Sequence, residues 1–150
     1  MYEIILAIHN LVRWVALILL IVTTVLAFIG WLGKREWTER DRKFGVYTTI
    51  ALDTQLLLGL ILYFFLSPIT KTALQDFGAA MGVADLRFFG LEHAIYMVLA
   101  VILAHVGSAL AKKATESRAK FMRVAIFFGL ALLLVLVGIP WGRPLLPGMG

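Results

Sequence analysis

The sequence predicts an all-α integral membrane protein: an up-down four-helix bundle with both termini outside, formed as one domain over residues 1–150. Three observations carry this. The chain is 61% hydrophobic and 15% charged, with a mean hydropathy of +0.93. A soluble domain is about 45–50% apolar and about 25% charged, so the composition fits neither a soluble domain nor a disordered chain. Four apolar stretches are each long enough for the roughly 20 residues that cross a hydrocarbon core. The positive charge is concentrated in two of the three connections. With no cysteine, disulfides, thiolate zinc sites, iron–sulfur clusters and covalent c-type haem are excluded.

The first stretch, Ile4 to Leu32, is interrupted only by His9, Asn10 and Arg13. It lacks the basic start of a signal peptide, carries Glu3 instead, and is too long for one. A basic connection follows, with Lys34, Arg35, Arg40, Arg42 and Lys43. The second span is expected from Phe44 to Leu66, stopped by Pro68. Over residues 68–87, Thr72 and Gln75 have capping-box spacing for a short helix bearing Leu74, Phe77 and Met81. That segment reads as an outer interfacial helix, the alternative being a loop. The third span runs from Phe88 to Ala111. A second basic connection has Lys112, Lys113, Arg118 and Lys120, with Arg123 just inside the next span. The fourth span, about Met122 to Ile139, is ended by the tail Pro140-Trp141-Gly142-Arg143-Pro144.

Lipid offers the backbone no hydrogen bonds, so each span must be helical. Ten of the fourteen Lys and Arg residues fall at the two basic connections. The positive-inside rule places these in the cytoplasm and both termini outside, in a bacterial inner membrane. The charge therefore serves orientation, and no nucleic-acid partner is expected. Trp31 and Trp37 fit an inner aromatic belt, Tyr2 and Trp141 an outer one. Gly59, Gly107, Gly129 and Gly138 read as packing positions. The Phe pairs at 64–65, 88–89 and 127–128 read as lipid- or core-facing. His9, Ala16, Ile18, Leu19 and Val22 recur 84 residues later as His93, Ala100, Ile102, Leu103 and Val106, which makes His9 and His93 equivalent positions of a weak internal repeat.

Ionisable residues within spans are costly and point to function. His9, His93, Glu92 and Arg13 form an outer layer; Asp53, Gln55 and His105 form a looser inner one. Two imidazoles at one depth on different helices suit axial ligation of a haem iron in a bundle core. Its propionates would need outer cations, and Arg87, Arg143 and Lys71 are those available. Ala7, Gly90 and Ala94 would let a flat macrocycle approach the backbone. Three other readings of the same residues stand beside this. The histidines are hydrogen-bonded near helix ends and Arg13 is ion-paired with Glu92 or Asp53; or they hold another metal; or Asp53 and His105 relay protons. His105 is expected to bond to Asp53 or Thr24. Zinc-protease, phosphate-loop and nucleophile-elbow motifs are absent from the sequence.

The runs His9-Asn-Leu-Val-Arg13-Trp14, Gln55-Leu-Leu-Leu-Gly59-Leu-Ile-Leu-Tyr63, Phe88-Phe-Gly-Leu-Glu92-His93 and Ile139-Pro-Trp141 resemble small bacterial four-span membrane proteins labelled cytochrome b-like. The resemblance covers nearly the whole chain. It implies non-covalent haem b, electron transfer, and axial ligation mapped onto His9 and His93. Some members have His where this chain has Asp53, so the resemblance does not carry a second haem here. The expected function is therefore a membrane electron carrier with one haem near the outer face. Arg87, Arg143 and Arg13 would lie around that haem, and a quinol or a larger respiratory or photosynthetic complex would be its partner. The alternative is a cofactor-free accessory subunit of such a complex, because likeness of fold does not fix function.

Overall fold

The structure, a computed structural model, describes residues 1–143. Four helices are long and apolar enough to cross a membrane. α1 is Tyr2–Leu32. α2 is Glu39–Ile61 and runs on through a π-helical turn, Leu62–Leu66. Three short helices follow: α3 Pro68–Gln75, α4 Phe77–Ala80 and α5 Ala84–Arg87. A second π-helical turn, Phe88–Glu92, leads into α6, His93–Lys113. α7 is Ser117–Gly138. The expected all-α four-helix bundle is what forms. Pro140 ends α7 as expected, and Pro144 lies outside the described residues.

α1 packs on α2 and α7, and α6 packs on the same two helices, so α1 and α6 face each other across the diagonal of the bundle. We call the end with residues 33–38 and 114–116 the basic end, and the other the terminal end. α1 has 31 residues and so a length of roughly 46 Å at 1.5 Å per residue. That exceeds a hydrocarbon core of about 30 Å, so α1 tilts or projects from it.

α2 begins five residues earlier than the hydropathy suggested, because a cap fixes its start. Asp41 Oδ2 accepts from the Thr38 backbone N–H at 3.0 Å and from the Thr38 hydroxyl at 2.7 Å, while Arg35 donates to Asp41 Oδ1 at 2.8 Å. The Asp41–Thr38 backbone bond is one half of a capping box. Segment 68–87 is helical, but its start differs from the expected one. Ser67, not Thr72, caps α3 through the Thr70 N–H, and Pro68 occupies the first turn, where a missing N–H costs nothing. Thr70 and Ala73 are buried while Leu74 and Phe77 stay exposed, which gives this segment one docked face and one outward apolar face.

The core is built from small residues along the spans, Ala16, Ala27, Ala100, Ala104, Ala125 and Ala131, filled by Leu20, Phe121 and Phe128. Small residues bring backbones close, which is how helices gain contact when lipid is as apolar as they are. Thr23 and Thr48 share a hydroxyl–hydroxyl bond of 2.7 Å, and Thr48 also donates to the Phe44 carbonyl at 2.8 Å. Trp37 belongs to this packing. Its ring meets Phe121 edge-on at 4.8 Å, and the Trp37 backbone N–H donates to Ser117 Oγ at 2.9 Å. Trp31 likewise packs against the core.

Gly107 shows how tight the α6–α7 seam is. A Cβ there would lie 2.5 Å from the Cβ of Phe127, an atom that cannot swing away. Gly107→Ala gains about 1 kcal/mol of helix propensity but loses about 1–3 kcal/mol to overpacking. The variant is therefore expected to melt at a lower temperature in detergent. Gly129→Ala, where a Cβ meets only ordinary contacts from 3.7 Å outward, is expected to match or exceed the parent. A Gly107→Ala chain as stable as the parent would refute the close seam.

A buried histidine layer at the terminal end

His9 and His93 come together across the diagonal. Their ring centres are 6.5 Å apart with the planes at 67°. The helical turns around them explain how. His9 sits two turns into α1 and meets the backbone of Gly59 on α2, where an added Cβ would lie 3.3 Å from His9 Cε1. His93 opens α6 directly after the π-helical turn Phe88–Glu92. π-turns recur at functional sites because they re-aim the residues that follow. This one is fastened from α2, whose Tyr63 hydroxyl donates to the Gly90 carbonyl at 2.7 Å. From α3, Thr70 in turn donates to the Tyr63 carbonyl at 2.7 Å.

The two imidazoles are held differently. His93 Nδ1–H donates to the carbonyl of Gly138 at 2.7 Å. A carbonyl only accepts, so Nδ1 carries the proton, and in the neutral ring Nε2 carries the lone pair. That second bond is the usual companion of a metal-ligating histidine. His9 Nε2 takes a hydrogen bond from the Gln55 amide, with the nitrogens 3.2 Å apart. Among the described residues, His9 Nδ1 and Gln55 Oε1 are buried with no hydrogen-bond partner. Turning the Gln55 amide over exchanges which amide atom is orphaned, but Nδ1 of His9 gains nothing. Each such orphan costs about 1–3 kcal/mol.

The surroundings are aromatic. The rings of Phe88 and Phe89 lie 5.9 and 6.0 Å from that of His93. These phenylalanines were expected only to face lipid or core; the π-turn is what brings both to one imidazole. Gly90 is not open to a flat ligand as expected. It is buried, and a Cβ on it would come within 2.7 Å of Ala73 Cβ, so α3 occupies that side.

The charged residues pair otherwise than expected. Arg13 is buried, as anticipated, but Glu92 and Asp53 are engaged elsewhere. Glu92 accepts from Arg87 at 2.8 Å, and Asp53 accepts from His105 at 2.7 Å. Arg13 reaches Asn10 Oδ1 at 3.4 Å and lies 5.6 Å from the Trp14 ring centre. The reason is reach. Glu92 lies five residues from Arg87 across the π-turn, and Asp53 is turned on α2 toward α6. Of the cations at the terminal end, Arg87 also donates to the Met81 carbonyl at 3.1 Å. Arg143 pairs with Asp85 at 2.7 Å and stands 4.5 Å over the ring of Phe89. Arg143 thus borders the aromatic wall of the His93 site, while Arg87 is tied to Glu92 at the end of the π-turn. His105 bonds to Asp53, one of its two expected partners, and this pair is separate from the His9–His93 layer.

Among the described residues no group of three or more His, Asp or Glu is placed to hold a metal ion. Ordinary protein metal sites draw on three or four such ligands. What the layer offers is two imidazoles, an orphaned nitrogen and aromatic walls. No protein family, curated protein or solved structure matches this chain.

Proposed function

We propose that this chain is a membrane b-type cytochrome, an electron carrier that holds one haem between His9 and His93 and exchanges electrons with a quinol or a partner complex. The observation that carries the reading is the 6.5 Å separation of the two ring centres. Two imidazoles that share one ion through metal–nitrogen bonds of about 2 Å have ring centres roughly 6 Å apart. The donor set fits the group. Haem would need only one or two donor side chains from the protein, so His9 and His93 would suffice where an ordinary metal site would fall short. The orphaned His9 Nδ1 and Gln55 Oε1 mark a layer whose polar groups are incompletely satisfied without a ligand.

Haem bound between His9 and His93 would supply one-electron transfer. The chain's own residues set the conditions. The Gly138 carbonyl fixes the tautomer of His93. Gln55 holds His9 Nε2, and the His9 ring would offer a nitrogen to the group. Phe88 and Phe89 exclude water, and Arg87 and Arg143 supply positive charge for carboxylates at the terminal end. The test is the absorption spectrum of the purified full chain, oxidised and then reduced with dithionite. A sharp α-band on reduction is expected. A chain that stays colourless after haem is supplied overturns the reading in favour of the accessory-subunit alternative.

The ten basic residues at one end support an orientation with that end in the cytoplasm and the terminal end outside an inner membrane. The absence of cysteine permits a direct check with single substitutions. In intact cells an impermeant thiol reagent is expected to label Thr72→Cys, and to label Ser117→Cys only after lysis. The opposite pattern would invert the topology.

A further inference from the structure

The Asp53–His105 pair plays no part in the histidine layer, and its position is anomalous. His105 Nε2–H donates to Asp53 Oδ1 at 2.7 Å, yet the two side chains are 51% and 48% exposed. Asp53 lies ten residues along α2 from Lys43, and His105 seven residues along α6 from Lys112. At 1.5 Å per residue that puts the pair roughly 10–15 Å inside the basic end. Ionisable groups at such depth face a protein interior or water, not lipid. Neither side chain is long enough to reach the surface as Lys and Arg do.

We propose that this face of α2 and α6 binds a second copy of the same chain, related by a two-fold axis along the membrane normal. The pair is self-complementary under that operation. Asp53 and His105 stand side by side at one depth. A face-to-face two-fold places each Asp53 opposite His105 of the second copy, and each His105 opposite Asp53 of the second copy. Asp53 Oδ2 and His105 Nδ1 have no partner among the described residues. Written as an imidazolium–carboxylate ion pair, His105 carries a proton on each nitrogen, so Nδ1–H is a donor and Asp53 Oδ2 an acceptor, as this arrangement requires. The four groups close into a ring of hydrogen bonds removed from lipid. Apolar residues flank the pair at helical spacing. Ile50 and Leu57 lie on the Asp53 face of α2, and Val98 and Ile102 on the His105 face of α6, all exposed. Interhelical polar pairs of this kind act as glue where apolar packing alone gives no orientation.

The proposal is tested by cross-linking in native membranes. Two full-length chains with different tags are co-expressed, one carrying Leu57→Cys and the other Ile102→Cys, which the two-fold brings to similar depth on facing helices. Mild oxidation is expected to give a disulfide-linked heterodimer of twice the chain mass. Leu133→Cys, exposed on α7, is expected to give none with either. Asp53→Leu combined with His105→Leu is expected to reduce the linked fraction several-fold while helical content by circular dichroism is retained. The exchange Asp53→His with His105→Asp preserves the complementarity and is expected to restore it. Linkage that persists undiminished in the double-leucine chain, equal linkage at Leu133→Cys, or linkage only to a protein of different mass would each overturn the proposal. The haem spectrum is not used, so failure here is distinct from failure of the cytochrome reading.

Discussion

His93→Ala is expected to lose the low-spin haem spectrum entirely, and His9→Ala likewise, while His105→Phe keeps it. The expectation rests on the difference between the three imidazoles. His93 is fixed by a single geometry: its Nδ1–H is tied to Gly138 at 2.7 Å, so only Nε2 remains to bind. His9 is the partner ring 6.5 Å away. His105 is committed to Asp53 on an exposed face. The Gly138 carbonyl gives an intermediate case. A side chain at 138 would strike the Met97 methyl and lie 3.2 Å from Tyr96 Cβ, so Gly138→Val shifts the carbonyl away from His93. Loss of an orienting hydrogen bond costs roughly 10–100-fold in metal affinity. Haem titration of the Gly138→Val chain is expected to show a weakening of that order with the band positions little changed. If His93→Ala retains an unaltered reduced α-band, another residue is the ligand and the assignment fails.

The four spans were legible because hydropathy is a sum over some twenty residues, and a single misplaced side chain does not alter it. The pairing of His9 with His93 was legible through their equal depth and their place in the 84-residue repeat. Local backbone geometry was not legible. Nothing in Leu62–Leu66 or Phe88–Glu92 marks a π-turn, because the extra residue per turn is imposed by neighbours: Tyr63 holding Gly90, and Thr70 holding Tyr63. The placement of Phe88 and Phe89 beside His93 depends on that turn, so it was missed too. The ion pairs were misassigned for a related reason. Depth alone put Arg13, Glu92 and Asp53 within reach of one another, but rotation about each helix axis decides partners. Asp53 faces α6 and Glu92 faces back along its own chain to Arg87. The start of α2 was misjudged because hydropathy is blind to caps.

That cap leads to the second large expected effect: Asp41→Ala destabilises the bundle by about 3 kcal/mol, more than any change at the neighbouring charges. Asp41 is nearly buried and satisfies three donors at once: the Thr38 N–H, the Thr38 hydroxyl and Arg35. Loss of a helix cap alone costs about 0.5–2 kcal/mol. A hydrogen bond to a charged group adds about 1.5–3 kcal/mol, discounted here because the Arg35 side chain is 44% exposed and water screens it. The effect propagates because Arg35 also stands 5.3 Å over the Phe121 ring, against which Trp37 packs. Freeing Arg35 therefore loosens the contact between the α1–α2 connection and α7. Asp41→Asn keeps an acceptor for the Thr38 N–H and is expected to lose less, about 1 kcal/mol. Glu39→Ala removes an exposed pair with Arg42 and is expected to be indistinguishable from the parent. Thermal or denaturant unfolding of the three variants in one detergent checks the order. Asp41→Ala as stable as Glu39→Ala would show that the start of α2 is held by its membrane span alone, with the cap contributing nothing.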